Sequence, residues 1–112
     1  MKMNVVRVLA VHEGVSWKTE LFPDLAKLLK FLGQPHIVGS RILDEALGSL
    51  MSDGIIAVED RKRGAMLEKG VYADQLIRLN DLAKVKSLLE KDPVFTEYMH
   101  NRDKMIRDAL FK

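Results

Sequence analysis

The chain contains no cysteine, which excludes disulfides, thiolate metal centres and cysteine nucleophiles together. It has no long apolar run; stretches such as Val8-Leu9-Ala10-Val11 are far too short to span a bilayer. Lys2 and Arg7 near the N-terminus are not followed by the apolar block of a secretory signal. These absences lead us to expect a cytoplasmic protein with no membrane segment. Motifs for common enzyme chemistries are missing too. There is no glycine-rich dinucleotide or phosphate loop, no Gly-x-Ser-x-Gly elbow and no His-Glu-x-x-His pair. The three histidines, His12, His36 and His100, are too far apart in sequence to suggest a ligand set. We therefore expect no catalysis, no metal and no cofactor.

What is present is the composition of one ordinary folded domain. The 112 residues are 47% hydrophobic and 30% charged, enough apolar content to hold a core without staples. The net charge of +2 is unevenly spread. Residues 1–60 carry 6 basic and 8 acidic side chains, whereas residues 61–112 carry 12 and 8. The tightest basic cluster is Arg61-Lys62-Arg63, followed by Gly64.

Periodicity predicts a first helix over Lys2 to Glu13, ended by Gly14, although Val5, Val6 and Val8 leave a strand open. Ser16 to Phe22 reads as a connection, with Pro23 opening a helix whose apolar face is Leu25, Leu28, Leu29 and Leu32. After Gly33-Gln34-Pro35, Ser40 suits an N-cap for a helix with Ile42, Leu43, Ala46, Leu47, Leu50 and Met51 on one face. Ile55 to Glu59 is β-branched and reads as a strand, Arg61 to Gly64 as an exposed turn, and Gln75 to Asn80 as the returning strand. Residues 65–74 remain ambiguous. Asp81 and Asp92-Pro93 then open two further helices, the first with Leu82, Val85, Leu88 and Leu89 inward. The expected fold is mainly α with a small antiparallel β element. Its expected core includes Leu28, Leu29, Ile42, Leu43, Leu47, Leu50, Ile56 and Val58.

Particular residues sharpen this. Leu25-Ala26-Lys27-Leu28-Leu29, then Val38-Gly39-Ser40, then Leu43, Leu47 and Leu50 running into Ser52-Asp53-Gly54-Ile55-Ile56, resemble the winged helix-turn-helix domain of prokaryotic transcription regulators. The matching stretch runs from Asp24 to Asn80. The resemblance implies a winged helix-turn-helix domain over residues 1–80 and a C-terminal helical extension over 81–112. It implies a regulator of transcription that binds double-stranded DNA, with a recognition helix at about 40–52 in the major groove and the 61–64 turn on phosphates. The candidate DNA-binding residues are His36, Ser40, Arg41, Ser49, Arg61, Lys62 and Arg63. Appended helices commonly pair such regulators, so a homodimer through Phe95, Tyr98, Met99, Ile106 and Leu110 is expected; the other possibility is that these residues complete the monomer core. Asp44 and Glu45 on the reading face support a second function, a winged helix that binds protein without touching DNA.

Overall fold

The computed structural model describes residues 1–64 and 71–111. The chain forms helix α1 (Lys2–Val11), strand β1 (Val15–Trp17), helices α2 (Lys18–Phe31) and α3 (Ser40–Ser52), strands β2 (Ile56–Gly64) and β3 (Val71–Leu79), and helices α4 (Leu82–Leu89) and α5 (Pro93–Leu110). The described residues are thus mainly helical, with one three-stranded antiparallel sheet in the order β1-β3-β2.

Helix α1 lies at the centre of the core, and it is a helix despite its valines. Val5, Val8 and Leu9 are buried against Leu21, Leu25 and Leu28 of α2 and Leu43, Leu47 and Leu50 of α3. That burial outweighs the small helix penalty of β-branching. The helix ends through two left-handed residues, Glu13 at φ 58° and Gly14 at φ 87°. Gly14 donates to the Leu9 carbonyl at 2.7 Å, and its own carbonyl accepts from Leu79 at 2.8 Å. A Cβ on Gly14 would stand 3.2 Å from Leu82 Cδ1, so both backbone angle and space call for glycine.

Three local readings are corrected, the first of them by long-range pairing. The stretch after Gly14 is a strand, because Val15, Ser16 and Trp17 pair with Arg78, Ile77 and Leu76. Helix α2 starts at Lys18, five residues before Pro23, which lies inside it. Helix α3 has Gly39, not Ser40, at its N-cap.

The apolar faces are narrower than the periodicity suggests. On α3 only Leu43, Ala46, Leu47 and Leu50 are buried. Ile42 and Met51 sit about 90° to either side of that line, and Ile42 is 52% exposed. Ile42 is therefore not a core residue, while Leu28, Leu29, Leu43, Leu47, Leu50 and Ile56 are, and Val58 packs at the core's edge. On α4, Leu89 is buried and Leu82 and Val85 partly so, but Leu88 points outward.

The two C-terminal helices begin as their sequences suggest. Asp81 accepts from the Lys84 amide, and Asp92 accepts from the Val94 amide with Pro93 in the first turn. Both caps rest on neighbours three or fewer residues away, which a sequence exposes directly. The near half of α5 packs on the core through Val94, Phe95 and Tyr98, and the Tyr98 ring meets Phe31 edge-on at 5.3 Å. The far half carries Met105, Ile106 and Leu110, all exposed.

Candidate nucleic-acid interface

The surface suggested by the sequence is built from the N-terminal half of α3 and the β2–β3 hairpin. Ser40 opens α3 and is exposed, as is His36 in the preceding connection. Arg41 is 91% exposed on its side chain and pairs with Glu45 at 3.2 Å. Asp44 pairs with Lys18 at the start of α2, 2.6 Å away. Ser49 is half-buried. The α3 face thus presents two internally compensated ion pairs.

The basic cluster is not a turn. Arg61, Lys62, Arg63 and Gly64 belong to β2, registered against Asp74, Ala73, Tyr72 and Val71. Arg63 lies opposite the Tyr72 ring and reaches diagonally to the Asp74 carboxylate, cross-strand contacts that suit a strand. Residues 65–70 lie outside the described residues, and with them most of the stretch that periodicity left ambiguous.

Being in a strand, the three cations alternate between two faces. Arg61 and Arg63 share one face with Asp74 and Tyr72, while Lys62 shares the other with Asp60. That second face forms one wall of a cleft of about 320 Å³, whose other wall includes Lys18, Phe22 and Ser40. Arg61 donates from Nε and Nη2 to Glu59 at 3.1 and 2.8 Å, and Arg78 stands 3.7 Å from the same carboxylate. Lys62 is exposed and makes no ion pair among the described residues.

Arg63 has a different environment. Its Nη1 donates to Asp74 Oδ2 at 3.0 Å, and its Nη2 lies 3.5 Å from Glu20 of α2. The guanidinium carbon stands 4.4 Å from the centre of the Trp17 ring and 5.6 Å from that of Tyr72. Asp74 is one of only two polar residues buried among those described. The Thr19 hydroxyl donates to its Oδ2 at 2.7 Å and the Gln75 amide to its Oδ1 at 2.7 Å. Burial pushes the Asp74 carboxyl up, but the donors from Thr19, Gln75 and Arg63 outweigh it and hold the group below the ordinary carboxylate range.

The hairpin brings Arg63 to the N-terminal end of α2, and Ser40 lies across the cleft from Asp60, Ala73 and Gln75. The sequence reading missed Asp74, Trp17 and Thr19. No spacing links residues 17, 19, 63 and 74, so only strand pairing could have found them. Of the expected dimer residues, Phe95 and Tyr98 pack on the monomer's own core and Met99 is half-buried, whereas Ile106 and Leu110 are exposed. No helix among the described residues is long and apolar enough to cross a membrane. No group of three or more His, Asp or Glu side chains is placed to hold a metal among them. No protein family matches the chain, and no curated protein or solved structure shows significant similarity to it.

Proposed function

We propose that this chain is a cytoplasmic DNA-binding regulator of the winged helix-turn-helix type, with α3 as its reading helix and the β2–β3 hairpin as its wing. The observation that carries the reading is that the β2–β3 hairpin, which bears Arg61, Lys62 and Arg63, faces the start of α3 across a cleft lined by Ser40, Asp60, Ala73 and Gln75. The order α1-β1-α2-α3-β2-β3, with β3 between the other two strands, supports it. A helix of that kind fits the major groove, and a hairpin beside it reaches the flanking phosphates. Arg61 and Lys62 are the phosphate contacts in this reading, and Arg41 reads a base after exchanging Glu45 for guanine. Far-half residues of α5, Ile106 and Leu110, pair two copies, which places two reading helices on one duplex.

The test is fluorescence anisotropy with a random duplex at low salt. Binding at micromolar protein that weakens steeply as salt rises supports the proposal. No binding at tens of micromolar would reject it.

A second reading draws on a separate observation. The Arg41–Glu45 and Lys18–Asp44 pairs neutralise the α3 face, and Ile37 and Ile42 stand exposed beside it. A neutral surface with apolar side chains suits a protein partner better than a phosphate backbone. Failure to bind DNA would favour this reading.

A further inference from the structure

We infer that Arg63 is a positioning residue, which sets the angle of the β2–β3 hairpin against α2 through Trp17, Tyr72 and Asp74 and leaves phosphate contact to Arg61 and Lys62. The use of that angle rests on the DNA-binding reading above.

Contacts from three elements converge on one guanidinium. Trp17 closes β1, Tyr72 and Asp74 lie on β3, and Glu20 lies in the first turn of α2. Arg63 sits near the far end of β2, where its own pairing partner is Tyr72. Beyond Trp17 the edge strand β1 has ended, so β2 and β3 continue as a two-stranded ribbon. Two-stranded ribbons twist and bend more readily than wider sheets. A side chain that reaches from the outer ribbon back to Trp17, where the third strand stops, resists such bending.

Asp74 makes the clamp stiff. It ties the ribbon to α2 through the Thr19 hydroxyl and to Arg63 through a charged hydrogen bond on the same oxygen. The α2 N-terminus has no capping side chain of its own, so a carboxylate from β3 also meets the positive end of that helix. Arginine suits the central role, because its planar fork can stack on a ring and donate to a carboxylate together. Lysine keeps the charge and loses both geometries.

A hairpin held at one angle binds without the cost of being ordered on contact. The experiment compares Arg63→Lys, Arg63→Ala and Asp74→Asn with the unaltered chain. Residual dipolar couplings of the free protein report the hairpin's orientation relative to α2, and salt titrations with random duplex report the number of phosphates contacted. The couplings of β2 and β3 should change in all three variants while those of α1 and α3 stay fixed, which also shows that the core is intact. Affinity should fall about tenfold in Arg63→Lys and Arg63→Ala alike, with the salt slope retained. Asp74→Asn should weaken binding too, although removing a negative charge on electrostatic grounds alone would strengthen it.

A direct phosphate contact gives the opposite pattern. Arg63→Lys would then keep its affinity, and Arg63→Ala would lose about 0.9 of slope. That result, or couplings unchanged in Arg63→Ala, overturns the proposal. Changed couplings in a protein that binds no duplex uphold the clamp and overturn only the DNA-binding reading.

Discussion

Arg7 Nε stands 2.6 Å from Asp92 Oδ2, and Asp92 Oδ1 accepts from the Val94 amide that opens α5. One carboxylate therefore anchors the C-terminal helix to α1 and caps it. Both side chains are largely buried, at 16% and 13% exposure, so neither charge is well served by water once the other is removed. Asp92→Ala should cost about 2–3 kcal/mol, combining a broken pair with a lost cap. Urea unfolding measures it, and a change below 0.5 kcal/mol, on the order of a surface substitution, would contradict the anchor.

The same carboxylate makes stability depend on pH. The hydrogen bond and charge of Arg7 hold Asp92 below the ordinary carboxylate range against the cost of burial, and Asp74 is shifted in the same direction. A depressed folded pKa means the unfolded chain takes up protons first. The stabilisation is present above the unfolded value of about 3.9 and is lost as pH falls through the folded one. The midpoint of thermal unfolding should hold steady from about pH 7 to 5 and then drop. Asp92→Asn keeps a capping side chain and should flatten that drop. An equal drop in the variant would contradict the assignment.

Core and margin should separate on α3. Leu47 is 4% exposed, and Leu47→Ala should cost about 2–5 kcal/mol as a cavity. Ile42, half in water, should cost about 1 kcal/mol or less when replaced by Ala. Equal losses at the two positions would mean that the buried face is broader than the structure has it.

That contrast shows what the sequence made legible. Spacing located α3 and the body of α2, because apolar residues at 3 and 4 report which way a helix faces. Caps at Asp81 and Asp92 were readable because they bond to amides within three residues. Strand β1 was not, since three residues carry no periodicity and their partners are about sixty positions away. Arg61-Lys62-Arg63 was misplaced into a turn because its partners, Asp74, Ala73 and Tyr72, lie in the stretch 65–74 that periodicity left ambiguous. Arg63 read as a free cation is instead held by residues 17, 20, 72 and 74. The candidate surface was legible in outline, and the roles within it were not.

Pairing of two copies should depend on the far half of α5. Ile106 and Leu110 are exposed, on the side of α5 that continues from Met99 at about 100° per residue. Sedimentation equilibrium should show twice the 12.7 kDa chain mass at high micromolar concentration. Ile106→Glu with Leu110→Glu should return the monomer, with little effect on thermal stability because neither residue is buried. A monomer at all concentrations would contradict the pairing.

DNA binding by this chain requires that the hairpin cations meet phosphate. Arg61 and Lys62 should each neutralise one phosphate, at about 0.9 in the slope of log affinity against log salt. Random-duplex titrations of the unaltered chain and of the Arg61→Ala, Lys62→Ala double variant, between 50 and 200 mM salt or thereabouts, measure this directly. The double variant should bind more weakly with a slope flatter by up to about 1.8 per monomer. Equal slopes in the two proteins would contradict the DNA-binding account.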